Sequence, residues 1–258
     1  MEQTKLFVLT GFLGARKTTF LKRILHDLEG TKVGVIQNDL GKVNIDGELI
    51  EKDGLELREI SQGSIYCSCR KLDFVKALAE LAQRGLDYVL VESSGIGDPS
   101  NVKELLQAVE ELQPGAYRFT GLICLVDAAN FLEDSGSREE LARQVRHAHV
   151  ILLNKTDLVE PQEQEKVLET LRELNPVSPI CAAAFGEVDM AFLEEDLRRY
   201  QYVGNEASLN SSESKPKTLV LRTDGPVNKA ELDAFLQELA PQCWRMKGFL
   251  PLDTGWHQ

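Results

Sequence analysis

The N-terminal run Leu6-Phe7-Val8-Leu9-Thr10-Gly11-Phe12-Leu13-Gly14-Ala15-Arg16-Lys17-Thr18-Thr19-Phe20 passes from an apolar segment through two glycines to a Lys-Thr pair. Leu6–Thr10 reads as a strand buried on both faces. Phe20, Leu21, Ile24 and Leu25 recur at helical spacing, so a helix follows directly. Strand, glycine-rich turn, Lys-Thr and helix in this order form a phosphate-binding loop. Amide N–H groups of Gly11, Gly14, Ala15, Arg16, Lys17, Thr18 and Thr19 would converge on an anion at the helix start. Lys17 would reach the outer phosphates and the Thr18 hydroxyl would ligate magnesium. One position departs from the pattern. Arg16 stands where glycine is expected, and glycine there keeps a Cβ away from the phosphates. Its side chain could swing outward and favour polyphosphate, or crowd the loop and fill the anion site.

Outward from this loop, aliphatic runs alternate with amphipathic ones. Further strands are expected at Val33–Gln37, Tyr88–Glu92, Gly121–Asp127 and Val150–Asn154, with a weaker one at Pro179–Cys181. Phe74, Ala77, Leu78 and Leu81 share one helical face, as do Val167, Leu171 and Leu174 behind Pro161. This alternation predicts an α/β fold, a three-layer phosphate-loop NTPase domain with a mostly parallel sheet, over residues 1–204. Residues 205–217 are polar and Ser-rich and read as a linker. Residues 218–258 are expected to form a small α+β segment: a strand at Thr218–Thr223, a helix at Asn228–Leu239 and a strand at Trp244–Leu250. So short a tail makes a poor independent core, so it packs on the first domain or is the truncated part of a larger one.

Acidic residues outnumber basic ones by 41 to 29 among 258 residues, a net charge of −12 that argues against nucleic-acid binding. No apolar run is long enough to span a bilayer, so no membrane partner is expected. The Leu6–Ala15 stretch could pass for a signal-peptide core, but the phosphate loop explains it better. Five cysteines, an odd number without an evident pairing, suit a reducing compartment and a cytoplasmic protein. Cys124 and Cys181 fall in expected strands and read as core thiols. His147 and His149 read as packing or surface residues, and Glu194-Glu195-Asp196 as a solvated helix face.

Two further motifs lie at strand ends. Asn154-Lys155-Thr156-Asp157 follows the apolar run Val150–Leu153. Asp157 can accept from the ring N–H and exocyclic amine of guanine, Asn154 can brace the loop, and the Lys155 stem can cover the ring. Adenine would leave Asp157 unpaired. Glu92-Ser93-Ser94-Gly95 closes the strand Tyr88–Glu92, placing the Glu92 carboxylate at the edge where open α/β sheets bind ligands. Glu92, with Asp39 of Asn38-Asp39-Leu40-Gly41, can hold magnesium, and the Gly95 N–H can contact a γ-phosphate.

With these motifs the chain resembles the CobW-type nucleotide-binding proteins, a branch of the phosphate-loop GTPases. The likeness also takes in Ile45-Asp46 and Gly186-Glu187-Val188-Asp189, and so covers nearly the whole chain. It implies hydrolysis of GTP to GDP with Mg2+, Lys17, Glu92 and Asp39 serving the reaction. It further implies delivery of a metal or cobalamin-type cofactor to a dependent client protein. The family's Cys-x-Cys-Cys motif aligns with Gly63-Ser64-Ile65-Tyr66-Cys67-Ser68-Cys69, where Ser64 and Tyr66 replace the first two cysteines. Cys67 and Cys69 could still bind Zn2+ or Co2+ if further ligands join them, Asp39 being one candidate. Two alternatives stay open: a pseudo-GTPase scaffold blocked by Arg16, and a metal carrier indifferent to nucleotide. The subunit count is open between monomer and homodimer.

Overall fold

The computed structural model describes residues 3–38, 55–61, 63–136, 138–183, 190–200, 208–210, 219–243, 246, 248–252 and 255–257. Seven parallel strands form the central sheet: β1 (Thr4–Thr10), β2 (Val33–Asn38), β3 (Glu56–Ile60), β4 (Tyr88–Glu92), β5 (Tyr117–Asp127), β6 (Val150–Asn154) and β7 (Ile180–Ala182). Their spatial order is β3-β2-β4-β1-β5-β6-β7. The connection leaving β1 runs toward β2 and the one leaving β4 runs toward β5, in opposite directions. Such a reversal opens a crevice at the carboxyl ends of the two adjacent strands.

The period-two alternation within strands builds two cores. Leu6, Val8, Val89, Val91, Leu122 and Val126 face one layer, which contains α2 (Lys71–Leu81), α3 (Val102–Leu112), α5 (Glu139–Arg146) and α6 (Pro161–Leu174). Phe7, Leu9, Leu90, Ile123 and Leu125 face the other, where Phe20, Leu21, Ile24 and Leu25 of α1 (Lys17–Asp27) pack with Phe192, Leu193 and Leu197. A short helix α4 (Phe131–Ser135) precedes α5. The three-layer expectation therefore holds.

Three local expectations change. Glu56–Ile60 forms an edge strand that the sequence hides, because Glu56, Arg58 and Glu59 leave only Leu57 and Ile60 apolar and the strand is only partly buried. Residues 219–223 carry no strand, and Leu219 and Leu221 are exposed. Within the expected strand at Trp244–Leu250, the described residues Met246, Gly248 and Phe249 carry no strand, and Leu250 opens β8 (Leu250–Leu252), which pairs antiparallel with β9 (Gly255–His257). The helix forms as read, α7 (Lys229–Leu239), with Asn228 capping Ala230 N–H and Glu231 N–H. No described helix is long and apolar enough to cross a membrane.

Candidate functional site

The phosphate loop joins β1 to α1 at the carboxyl edge of the sheet. Gly11 is dictated by its neighbour, since a Cβ there would lie 2.3 Å from the Leu125 carbonyl oxygen. Arg16 caps α1 in the left-handed region, with φ 65° and ψ 38°. The backbone thus keeps the path a glycine would take, at a steric cost of about 1 kcal/mol for an L-residue. The Arg16 side chain is exposed and makes no hydrogen bond or ion pair among the described residues.

Lys17 is 7% exposed, and its ammonium donates to Gly11 O at 2.7 Å and Phe12 O at 3.2 Å. A buried cation needs such partners, and a polyphosphate would serve it better than carbonyl dipoles. Thr18, next along α1, donates its hydroxyl to Glu92 Oε1 at 2.7 Å. The other Glu92 oxygen accepts from Gln37 Nε2 at 3.0 Å. Gln37 Oε1 is buried without a partner. Carboxylate, hydroxyl and an orphaned amide oxygen make a hard-oxygen set suited to magnesium. Sequence reasoning passed over Gln37 because it lies inside an apolar strand; its polarity at a buried carboxyl-edge position was the signal.

Further buried hydroxyls and amide oxygens stand unpartnered around this edge: Thr10 Oγ1 at the end of β1, Ser94 Oγ after β4, and Asn154 Oδ1 at the end of β6. Native interiors rarely leave such atoms unmatched, so together they mark a ligand site. Gly95 lies against the phosphate loop, where a Cβ would come within 2.9 Å of Leu13 N.

On the β6 side, Asn154 Nδ2 donates to Ala15 O at 3.4 Å, bracing the loop after β6 on the phosphate loop. Lys155 adopts φ 61° and donates to Asp127 Oδ2 at 2.5 Å. Asp127 also accepts from Asn130 Nδ2 at 2.8 Å, and lies at the end of β5 opposite Asn154. Sequence reasoning missed this anchor, although an aspartate closing a buried strand was visible. Asp157 is exposed at the rim. Thus Lys17, Thr18, Glu92 and Gly95 stand together, with Asn154 tied to the same loop. Asp39, Leu40, Gly41, Ile45, Asp46 and the Gly186–Asp189 segment lie outside the described residues.

The two thiols part company: Cys67 is buried and Cys69 exposed. Among the described residues no group of three or more His, Cys, Asp or Glu side chains could hold a metal ion. The turn carrying Cys67 is nevertheless tied to the site. Asn38 Nδ2 donates to Ile60 O at 2.9 Å and Gly63 O at 2.7 Å, while its Oδ1 accepts from Ile65 N at 3.0 Å and Ser94 N at 3.3 Å. Tyr66, one of the residues replacing a cysteine, is fully buried against Gly97, and burial pushes its hydroxyl far above the usual tyrosine range.

A family model described as "CobW/HypB/UreG, nucleotide-binding domain" matches residues 5–182. The chain is 30% identical to the zinc chaperone YjiA of Escherichia coli, over 98% of this chain and 83% of that one. It is 32% identical to zinc-regulated GTPase metalloprotein activator 1 of Dictyostelium discoideum, over 68% of this chain but only 44% of that relative. The fold superposes on Zn(II)-bound YjiA GTPase from E. coli with a TM-score of 0.58 at 25% identity, covering 94% of this chain and 79% of that one. It also superposes on nickel-bound HypB from Helicobacter pylori, with a TM-score of 0.51 at 19% identity over 79% and 91% of the chains, a likeness of fold alone.

Proposed function

The chain belongs to the CobW/HypB/UreG family of nucleotide-binding domains, and on that premise we propose that it is a GTPase whose nucleotide state governs delivery of zinc to a client protein. The observation that carries the reading is the carboxyl-edge constellation: a buried Lys17 on loop carbonyls, Thr18 bonded to Glu92, and unpartnered buried oxygens around them. Lys17 and the loop amides hold the β- and γ-phosphates. Magnesium, held by Thr18 and Glu92 with Gln37 and Asp39 as further oxygen donors, would neutralise charge developing on the phosphates. Water then displaces GDP from the γ-phosphorus, and inorganic phosphate leaves. Asp157 reads guanine, and Lys155, anchored on Asp127, lies along the base.

Zinc is the cargo that the names of the relatives suggest. Cys67 and Cys69 supply soft ligands for it, completed by a residue such as Asp39 or by the client. Residues 1–204 make the GTPase domain, 205–217 the linker, and 218–258 part of a C-terminal domain. The reducing cytoplasm is the compartment that suits its thiols. The test is zinc affinity, measured against a competing chelator with GDP and with a non-hydrolysable GTP analogue. A shift of about fivefold or more that is lost in the Cys67→Ser, Cys69→Ser double variant supports delivery. Equal affinities in both nucleotide states would remove the coupling.

A further inference from the structure

The loop after β4 is held from several sides, and one hold comes from far along the chain. Ser94 N donates to Asn38, and Gln144 Nε2 donates to Gly95 O at 3.1 Å and Gly97 O at 3.0 Å. Asp98, 1% exposed, carries the other end. Its Oδ1 accepts from Ser100 N at 2.9 Å, and its Oδ2 accepts from Arg143 at 3.2 Å and from Leu209 N at 2.8 Å. Asn210 completes the contact: its Nδ2 donates to Asp98 O at 2.7 Å and Asn101 Oδ1 at 3.3 Å, while its Oδ1 accepts from Asp98 N at 3.3 Å. Residues 208–210 fall in the stretch whose composition reads as a plain linker, yet they seal a buried carboxylate.

We infer that residues 208–210 act as a strap on this loop, so that docking of the strap at Asp98 and binding of a γ-phosphate at Gly95 oppose one another. The inference rests on the GTPase reading above. Gly95 backs on Leu13 of the phosphate loop so closely that a Cβ would lie 2.9 Å from Leu13 N, so the loop cannot yield toward Leu13, and a γ-phosphate drawn to the Gly95 N–H displaces it as a unit. Asp98 is three residues away in a buried segment, and its shift breaks the alignment with Leu209 N–H and Asn210. Linkage is reciprocal: if the γ-phosphate loosens the strap, loosening the strap favours the γ-phosphate. Asn210 is a positioning residue in this scheme. It touches no nucleotide and acts through Asp98.

The test compares the affinity for a non-hydrolysable GTP analogue with that for GDP in the wild type, Asn210→Ala and Asn210→Asp, alongside amide exchange of residues 208–210 in each state. Because Asn210 is only half-buried, both variants should fold. Asn210→Ala is expected to raise the analogue-to-GDP preference about fivefold, and Asn210→Asp, which sets a second carboxylate against Asp98, to raise it further. In the wild type the strap amides should exchange faster with the analogue than with GDP. An unchanged or reversed preference, or equal exchange in the two states, would overturn the strap while leaving the GTPase reading intact. Failure of the wild type to bind either nucleotide would bring down both.

Discussion

Thr18 and Glu92 meet across 2.7 Å, a hydroxyl from the first turn of α1 donating to a carboxylate at the end of β4. The contact joins the phosphate loop to the neighbouring strand and gathers two oxygen ligands where a hard cation and a triphosphate would lie. Glu92→Gln keeps the shape and loses the charge. It should lower magnesium-dependent GTP hydrolysis about 100-fold, with nucleotide binding in excess chelator nearly unchanged. Phosphate release over a magnesium series reads the first quantity, and calorimetry reads the second.

Arg16 occupies a left-handed cap with its side chain in solvent. Replacing it by glycine removes the Cβ clash but adds freedom to the unfolded chain, so Arg16→Gly should stabilise the protein by about 0.5–1 kcal/mol. Urea unfolding with an unchanged m-value checks this. With the guanidinium exposed and bonded to no described residue, GTP affinity should stay within about threefold of wild type. Loss of one nearby cation is worth little more where water screens it.

Much of this was legible beforehand, for physical reasons. Strands buried on both faces write themselves as continuous apolar runs, so β1, β2, β4 and β6 were found within two residues of their true bounds, whereas β5 begins four residues before the expected Gly121, where Tyr117–Phe119 are only partly buried. Lys17, Thr18 and Glu92 could be paired because strand ends of a parallel sheet share one edge. The edge strand Glu56–Ile60 escaped because partial exposure lets three of its five residues carry charge, which leaves no apolar run or alternation to read. Gln37 and Asp127 escaped because their importance lies in partners 55 and 28 residues away, Glu92 and Lys155. The grip of Asn210 on Asp98 spans 112 residues and leaves no mark in local composition.

Asp157 is exposed in the loop after β6, and the proposed guanine recognition rests on its carboxylate. Asp157→Asn replaces two acceptor positions with an amide that mismatches guanine. GTP affinity should fall about 100-fold, the scale of two lost charge-assisted hydrogen bonds. Xanthosine triphosphate, whose edge suits an amide better, should lose far less. Competition between the two nucleotides measures the switch.

His149 sets an acid limit on the fold. Burial, reinforced by Lys103, brings its imidazole down to about 4 from the usual 6.5, and its Nδ1 accepts from Leu122 N at 3.0 Å. The unfolded chain binds a proton here before the folded one does. The contribution is therefore complete above about pH 6.5 and is lost as pH falls toward 4, about 3 kcal/mol in all. Urea unfolding at pH 7, 5.5 and 4.5 should show stability declining with pH, and His149→Asn should flatten that decline.

Phosphate release from GTP and from ATP, measured for wild type and Lys17→Ala with magnesium present, tests the nucleotide site itself. Wild type should hydrolyse GTP at least about tenfold faster than ATP, and removal of the Lys17 ammonium should lower the GTP rate about 100-fold. A wild-type chain that neither binds nor cleaves GTP, or a Lys17→Ala chain that cleaves it as fast, would contradict the account.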